Sequence, residues 1–227
     1  MTDIVTLKDS HLNKECYIVS CGPSIKTLNQ ERLKYLLKDK LVISIKQAYN
    51  IIGRSDFHIY NFIHLQEYDY TDSPVTIELT RFGKTLTEPD IAAPINVREA
   101  GNYLASVATR RNFNDFLFEK TLQRPFGPGL LYEVGFYLAV HLGVSGITTI
   151  GFDSAQPNSH FYGDNADKPT EARMKLLQKE MNFVVAGMGS YHKWLKSKGI
   201  DWNIISDINP GPSFINRLTL DDIPEPA

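Results

Sequence analysis

The chain has 227 residues, 42% of them apolar and 22% charged, with a formal net charge of −2. That composition belongs to a folded globular domain with chain enough for a sizeable core; it excludes a disordered, fibrous or strongly basic nucleic-acid-packaging protein. The only cysteines, Cys16 and Cys21, are too few for a disulfide framework or a zinc site, and their usage suits a reducing cytoplasm. Met1 to Ser10 has no apolar signal region, and no stretch approaches about 18 consecutive apolar residues, so a cytoplasmic protein without a membrane span is expected.

In chain order, Tyr17-Ile18-Val19-Ser20 is a β-type run that closes in Cys21-Gly22-Pro23-Ser24. Leu28, Leu33, Leu36 and Leu37 then recur at helical spacing among Lys, Arg and Glu, so the first unit predicts strand, tight turn, helix. Leu41 to Ile45 is a second strand, and Phe57 to Tyr60 a third that ends at Asn61. Strands alternating with helices predict an α/β fold: a mostly parallel, Rossmann-like sheet flanked by helices, in one nucleotide-binding domain over 1–220. Residues 62–125 read as a lid or insertion, with a strand at Val75 to Leu79 and an aromatic and basic stretch from Asn102 to Leu122.

Leu130 to Leu142 predicts a helix that Gly143 ends as a C′ glycine. Ile147 to Ile150 is a strand followed by Gly151-Phe152-Asp153, and 154–169 is a polar loop containing His160. Glu171 to Val185 and Tyr191 to Lys198 read as helices, Trp202 to Ile205 as the last strand, and 221–227 as a frayed tail.

Ligands of open α/β sheets bind outside the carboxyl ends of the strands. Four polar clusters fall at such ends: Ser20 to Ser24, Ser44 to Gln47, Asn61, and Asp153 with its loop. Gly22 permits close backbone approach, Pro23 suits the opening of a helix, and Ser24 is suited to satisfy orphan N–H groups there. A helix N-terminus in that place favours an anion such as phosphate. The same turn equally reads as a strand-to-helix connection without a ligand, and it has neither Walker A nor dinucleotide-loop spacing. His160, in a polar loop after a strand-end aspartate, is suited to accept a proton at neutral pH, or is a bystander. Arg110, Arg111, Lys120 and Arg124, with Phe113, Phe116 and Phe118 between them, fit a phosphate-rich donor, a nucleic-acid backbone or a plain amphipathic helix. No metal-ligand constellation stands out, so no metal and no cofactor are expected.

Taken in order, these pieces resemble the bacterial lipooligosaccharide sialyltransferases of glycosyltransferase family forty-two and, more loosely, the 6-hydroxymethylpterin diphosphokinase-like proteins. Ile18 to Lys26 is similar to that family's strand followed by Gly-Asn-Gly-Pro-Ser-Leu-Lys, and Val42 to Tyr49 to its second strand ending in Asn-Gln. Tyr60-Asn61, Gln123-Arg124 with Gly127, Ile150 to Asp153, Asn158-Ser159-His160 and, loosely, Ser213 to Leu218 follow in the family's order. The resemblance implies transfer of a sugar from a nucleotide-sugar donor, CMP-sialic-acid-like or another, to a glycan hydroxyl. It implies His160 as general base and Tyr162 on the leaving phosphate. It places Gly22 and Ser24 at the nucleotide phosphate, Gln47 and Asn61 on the nucleotide or sugar, and Arg124 and Gly127 near the donor. Cys21, Lys46 and Gly127 stand where the family has Asn, Asn and Ser, which leaves the donor open. The aromatic and basic segment keeps a DNA-base acceptor as an alternative. A Mg²⁺-dependent diphosphokinase using Asp153, Asp164 and Asp167 is another, and a homo-oligomer remains open.

Overall fold

A computed structural model describes residues 4–61, 68–79, 130–153, 188–189, 191–206 and 212–225. Seven strands form one sheet: β1 (Glu15–Val19), β2 (Leu41–Ile45), β3 (Phe57–Asn61), β4 (Val75–Leu79), β5 (Gly146–Ile150), β6 (Asp201–Ile205) and β7 (Asn216–Leu218). Their order is β4-β3-β2-β1-β5-β6-β7, and every pairing is parallel. The α/β, Rossmann-like sheet expected from the sequence is thus observed. β1, β2 and β5 are buried along nearly their whole length, as strands covered on both faces must be.

The helices are α1 (Ser24–Thr27), α2 (Gln30–Leu37), α3 (Ala48–Ile52), α4 (Leu130–His141) and α5 (191–197). Alternation along the strands feeds two cores. On one face Cys16, Ile18, Ile43, Ile45 and Ile59 pack with Phe136, Leu138 and Ala139 of α4 and with Tyr191 and Leu195 of α5. On the other, Tyr17, Val19 and Val42 pack with Ile25, Leu33, Leu36 and Leu37 of α1 and α2 and with Ala48 and Ile52 of α3. α4 lies against the sheet at Gly135 with room for a methyl: a Cβ there would stand 3.5 Å from Ile18 and 3.8 Å from Ile45, ordinary contact distances. α4 ends as its sequence foretells: Gly143 has φ +81°, its N–H meets Val140 O, and Val144 N–H meets Ala139 O.

Three local readings need correction. The helix expected after the first turn is two helices, because Leu28 is extended and Asn29 starts α2 afresh, its side chain accepting from Arg32 N–H at 3.0 Å. Asn216–Leu218, too short to register as a pattern, pairs with β6 as a seventh strand. The tail does not fray at Asp221. Thr219 and Asp222 form a capping box around a short 3₁₀ turn, Ile223 is buried, and Asp221 meets Arg32 at 2.6 Å.

Candidate functional site at the carboxyl edge

The strand order fixes where a site belongs. From β1 the chain builds outward through β2, β3 and β4, then returns to β5 on the other side of β1 and continues to β6 and β7. The switch point lies between β1 and β5, and a crevice at the carboxyl ends of those two strands is the expected ligand position in such sheets. Ser20 to Ser24 follow β1 there and Gly151 to Asp153 follow β5. Lys46 and Gln47 follow β2 one strand away, and Asn61 ends β3, in register with Leu79. His160, Tyr162, Arg124 and Gly127 lie outside the described residues, as do Asp164, Asp167 and the helix expected at Glu171 to Val185.

The floor of the crevice is tightly closed. Asp153, 4% exposed, accepts Ser24 N–H on Oδ2 at 2.7 Å and the Ser206 hydroxyl on Oδ1 at 3.1 Å. A Cβ on Gly22 would overlap Asp153 Oδ2 and Gly151 O and stand 2.8 Å from Asp153 Cγ, so only glycine fits. A Cβ on Gly151, at φ +69°, would likewise overlap Ser20 O. Gly22 N–H is bonded to Gly151 O at 2.9 Å, Ile25 N–H to Gly22 O at 3.2 Å and Lys26 N–H to Pro23 O at 3.0 Å. Pro23 has no N–H, so every amide donor from Gly22 to Lys26 is committed. The expectation that the Ser24 side chain caps these amides is corrected: α1 has no side-chain capping bond. The carboxylate of Asp153 already stands at Ser24 N–H.

The Cys21 thiol donates to Ile45 O at 3.0 Å and ties the turn to the end of β2. Burial pushes its pKa up to about 12, so it is a packing and hydrogen-bonding group and not a nucleophile. Lys46, half-buried, adopts φ +51°, a left-handed conformation uncommon for a lysine. Gln47, 7% exposed, precedes α3 as its N-cap residue.

Behind Lys46 sits a group that the sequence did not single out. His58, fully buried on β3, donates from Nε2 to Lys46 O at 2.9 Å, so its Nδ1 accepts from the Tyr70 hydroxyl at 2.6 Å. Tyr49 stacks on the imidazole, and Tyr60, Tyr68 and Tyr70 surround it. Tyr49 donates to Asp72 Oδ1 at 2.5 Å, and Asp72 Oδ2 accepts Ser55 N–H at 2.6 Å. Burial drives the His58 pKa down to about 4, against the smaller opposing pulls of the Lys46 carbonyl and Asp72. Ser206 and Arg217 were also missed; Arg217 donates to Ser206 O, which links β7 to the Asp153 network.

No family model matches this chain, and no curated protein matches it in sequence. Among solved structures, it is similar to the MAf glycosyltransferase from Magnetospirillum magneticum AMB-1 over 99% of its length, with a TM-score of 0.54 and 13% identity. The two share a fold. This chain spans 38% of that protein's length. The structure of BdcA in complex with NADPH is a fainter neighbour, at a TM-score of 0.29 and 12% identity, too low to bear on either fold or site.

Among the described residues, no group of three or more His, Cys, Asp or Glu is placed to hold a metal ion, and no helix is long and apolar enough to cross a membrane. A hollow of about 450 Å³ opens at the opposite, amino-terminal edge of the sheet, between Lys14, Lys40, Arg54 and Asp56. Arg54 there serves the fold: it donates to the carbonyls of Leu37, Lys38 and Lys40 and pairs with Asp56 at 2.8 Å.

Proposed function

We propose that the chain is a glycosyltransferase that moves a sugar from a nucleotide-sugar donor to an acceptor hydroxyl, without a metal ion. The observation that carries this reading is the fold likeness, over nearly the whole chain, to a protein described as a glycosyltransferase. The order of short motifs along the sequence supports the same class independently. In the proposed step the acceptor oxygen attacks the anomeric carbon, and the bond from that carbon to the donor's phosphate oxygen breaks. His160 takes the proton from the acceptor hydroxyl, and the Tyr162 hydroxyl donates to the departing phosphate. Gln47 and Asn61, at the ends of β2 and β3, contact the nucleotide or the sugar, and Arg124 and Gly127 lie near the donor. The Asn158-Ser159-His160 motif favours a donor of the CMP-sialic-acid type.

Thermal shifts of the purified chain with CMP, CDP, UDP, GDP, ADP and ATP, each with and without Mg²⁺, test the class, because a ligand of the folded state raises its apparent stability. Metal-independent stabilisation by a nucleoside mono- or diphosphate is expected. Stabilisation by ATP only with Mg²⁺ would move the chain to the diphosphokinases. Once a donor is found, His160→Ala is expected to lower turnover by about 10²–10⁴-fold while leaving donor binding intact; unchanged turnover removes His160 from the step.

A further inference from the structure

We infer that Asp153 is the resident anion of the turn after β1, and that the phosphate of a ligand at this edge is received one strand away, by Lys46. The ligand class rests on the glycosyltransferase reading; the placement does not.

The first ground is that the usual place is taken. The amide donors from Gly22 to Lys26 are all bonded within the protein, and the Asp153 carboxylate is buried among them. A phosphate entering there would displace it or meet a like charge at short range.

The second ground is Lys46 itself. It has no ion-pair partner among the described residues. Its backbone is held left-handed, at a cost of about 1–2 kcal/mol for a residue with a Cβ. Three bonds impose that conformation: its N–H to Ile59 O at 2.8 Å, and its carbonyl accepting His58 Nε2 at 2.9 Å and Tyr49 N–H at 3.2 Å. Backbone strain that the surroundings over-determine concentrates at ligand sites. Here it fixes the Lys46 backbone at the carboxyl end of β2, and His58, bonded to its carbonyl, is the positioning residue.

The experiment is calorimetric titration of the full chain with inorganic pyrophosphate and with CDP and UDP, at low ionic strength. Lys46→Asn removes the ammonium and keeps a residue that tolerates the left-handed backbone. It is expected to weaken pyrophosphate binding at least about tenfold without lowering Tm. Asp153→Asn is expected to bind pyrophosphate as well as wild type or better, because a neighbouring negative charge is gone. Undiminished pyrophosphate binding by Lys46→Asn, loss of it in a folded Asp153→Asn, or no binding by wild type would each overturn the inference. Should Asp153→Asn fail to fold, the Lys46→Asn comparison decides alone. Pyrophosphate held through Lys46 with no affinity for either nucleotide would leave the inference standing and count against the nucleotide reading. Nucleotides bound equally by wild type and Lys46→Asn would do the reverse.

Discussion

His58 makes the fold sensitive to mild acid, and the size of the effect follows from its surroundings. The imidazole is fully buried and neutral, with Nε2–H on Lys46 O and Nδ1 accepting from Tyr70. Its pKa is pushed down to about 4, against an ordinary value near 6.5. Between those values the unfolded chain binds a proton that the folded chain refuses, so stability falls as pH falls. The contribution is fully present above about pH 6.5 and lost by about pH 4; at about 1.4 kcal/mol per unit it amounts to roughly 3 kcal/mol. Between about pH 7 and pH 5 some 2 kcal/mol, about two-thirds of it, should disappear. Urea unfolding at a series of pH values measures this directly when wild type is compared with His58→Gln. Glutamine retains an N–H donor for Lys46 O and does not titrate. His11, whose pKa is also lowered by burial and by Lys14, is common to both proteins and cancels. The variant will be less stable at pH 7, because it loses the aromatic packing, but its curve should be flatter by that 2 kcal/mol. Parallel curves would refute the assignment of a neutral, buried His58.

Two further outcomes test the packing of the edge. Gly22→Ala drives a methyl into Asp153 and Gly151 O and should cost about 3 kcal/mol or more in urea unfolding. Gly135→Ala, which meets only ordinary contacts inside α4, should be neutral or stabilise by up to about 1 kcal/mol; similar effects at the two sites would refute the closed floor of the crevice. Cys21, 2% exposed with its pKa raised to about 12, and Cys16, fully buried with its pKa raised further, should both resist iodoacetamide in the native chain at pH 8. Intact mass should show no adduct until urea is added, and rapid native labelling of Cys21 would show that the turn opens.

The strands were legible because a parallel sheet buried on both faces writes itself as short runs of Val, Ile and Tyr, and the Leu130 helix because Gly143 marks its end. What periodicity could not report was the pairing order, since it arises from contacts between residues more than a hundred apart, such as Glu15 with Gly146. The switch point between β1 and β5 follows from that order alone. The fate of the Cys21–Ser24 turn was likewise hidden. Locally it is a well-formed opening for a helix with amides to offer, and only the arrival of Asp153 from the end of β5 shows that the offer is already taken. Lys46 lay between these extremes. Its departure from the Asn of the family resemblance was visible as a substitution, yet the reason it matters is a backbone angle. A left-handed residue at the end of β2 suits Asn by itself, whereas Lys needs the carbonyl clamp of His58 and Tyr49 to stay there. The buried imidazole of His58, which the sequence did not single out, is therefore one of the groups that hold the Lys46 backbone in place at the carboxyl edge.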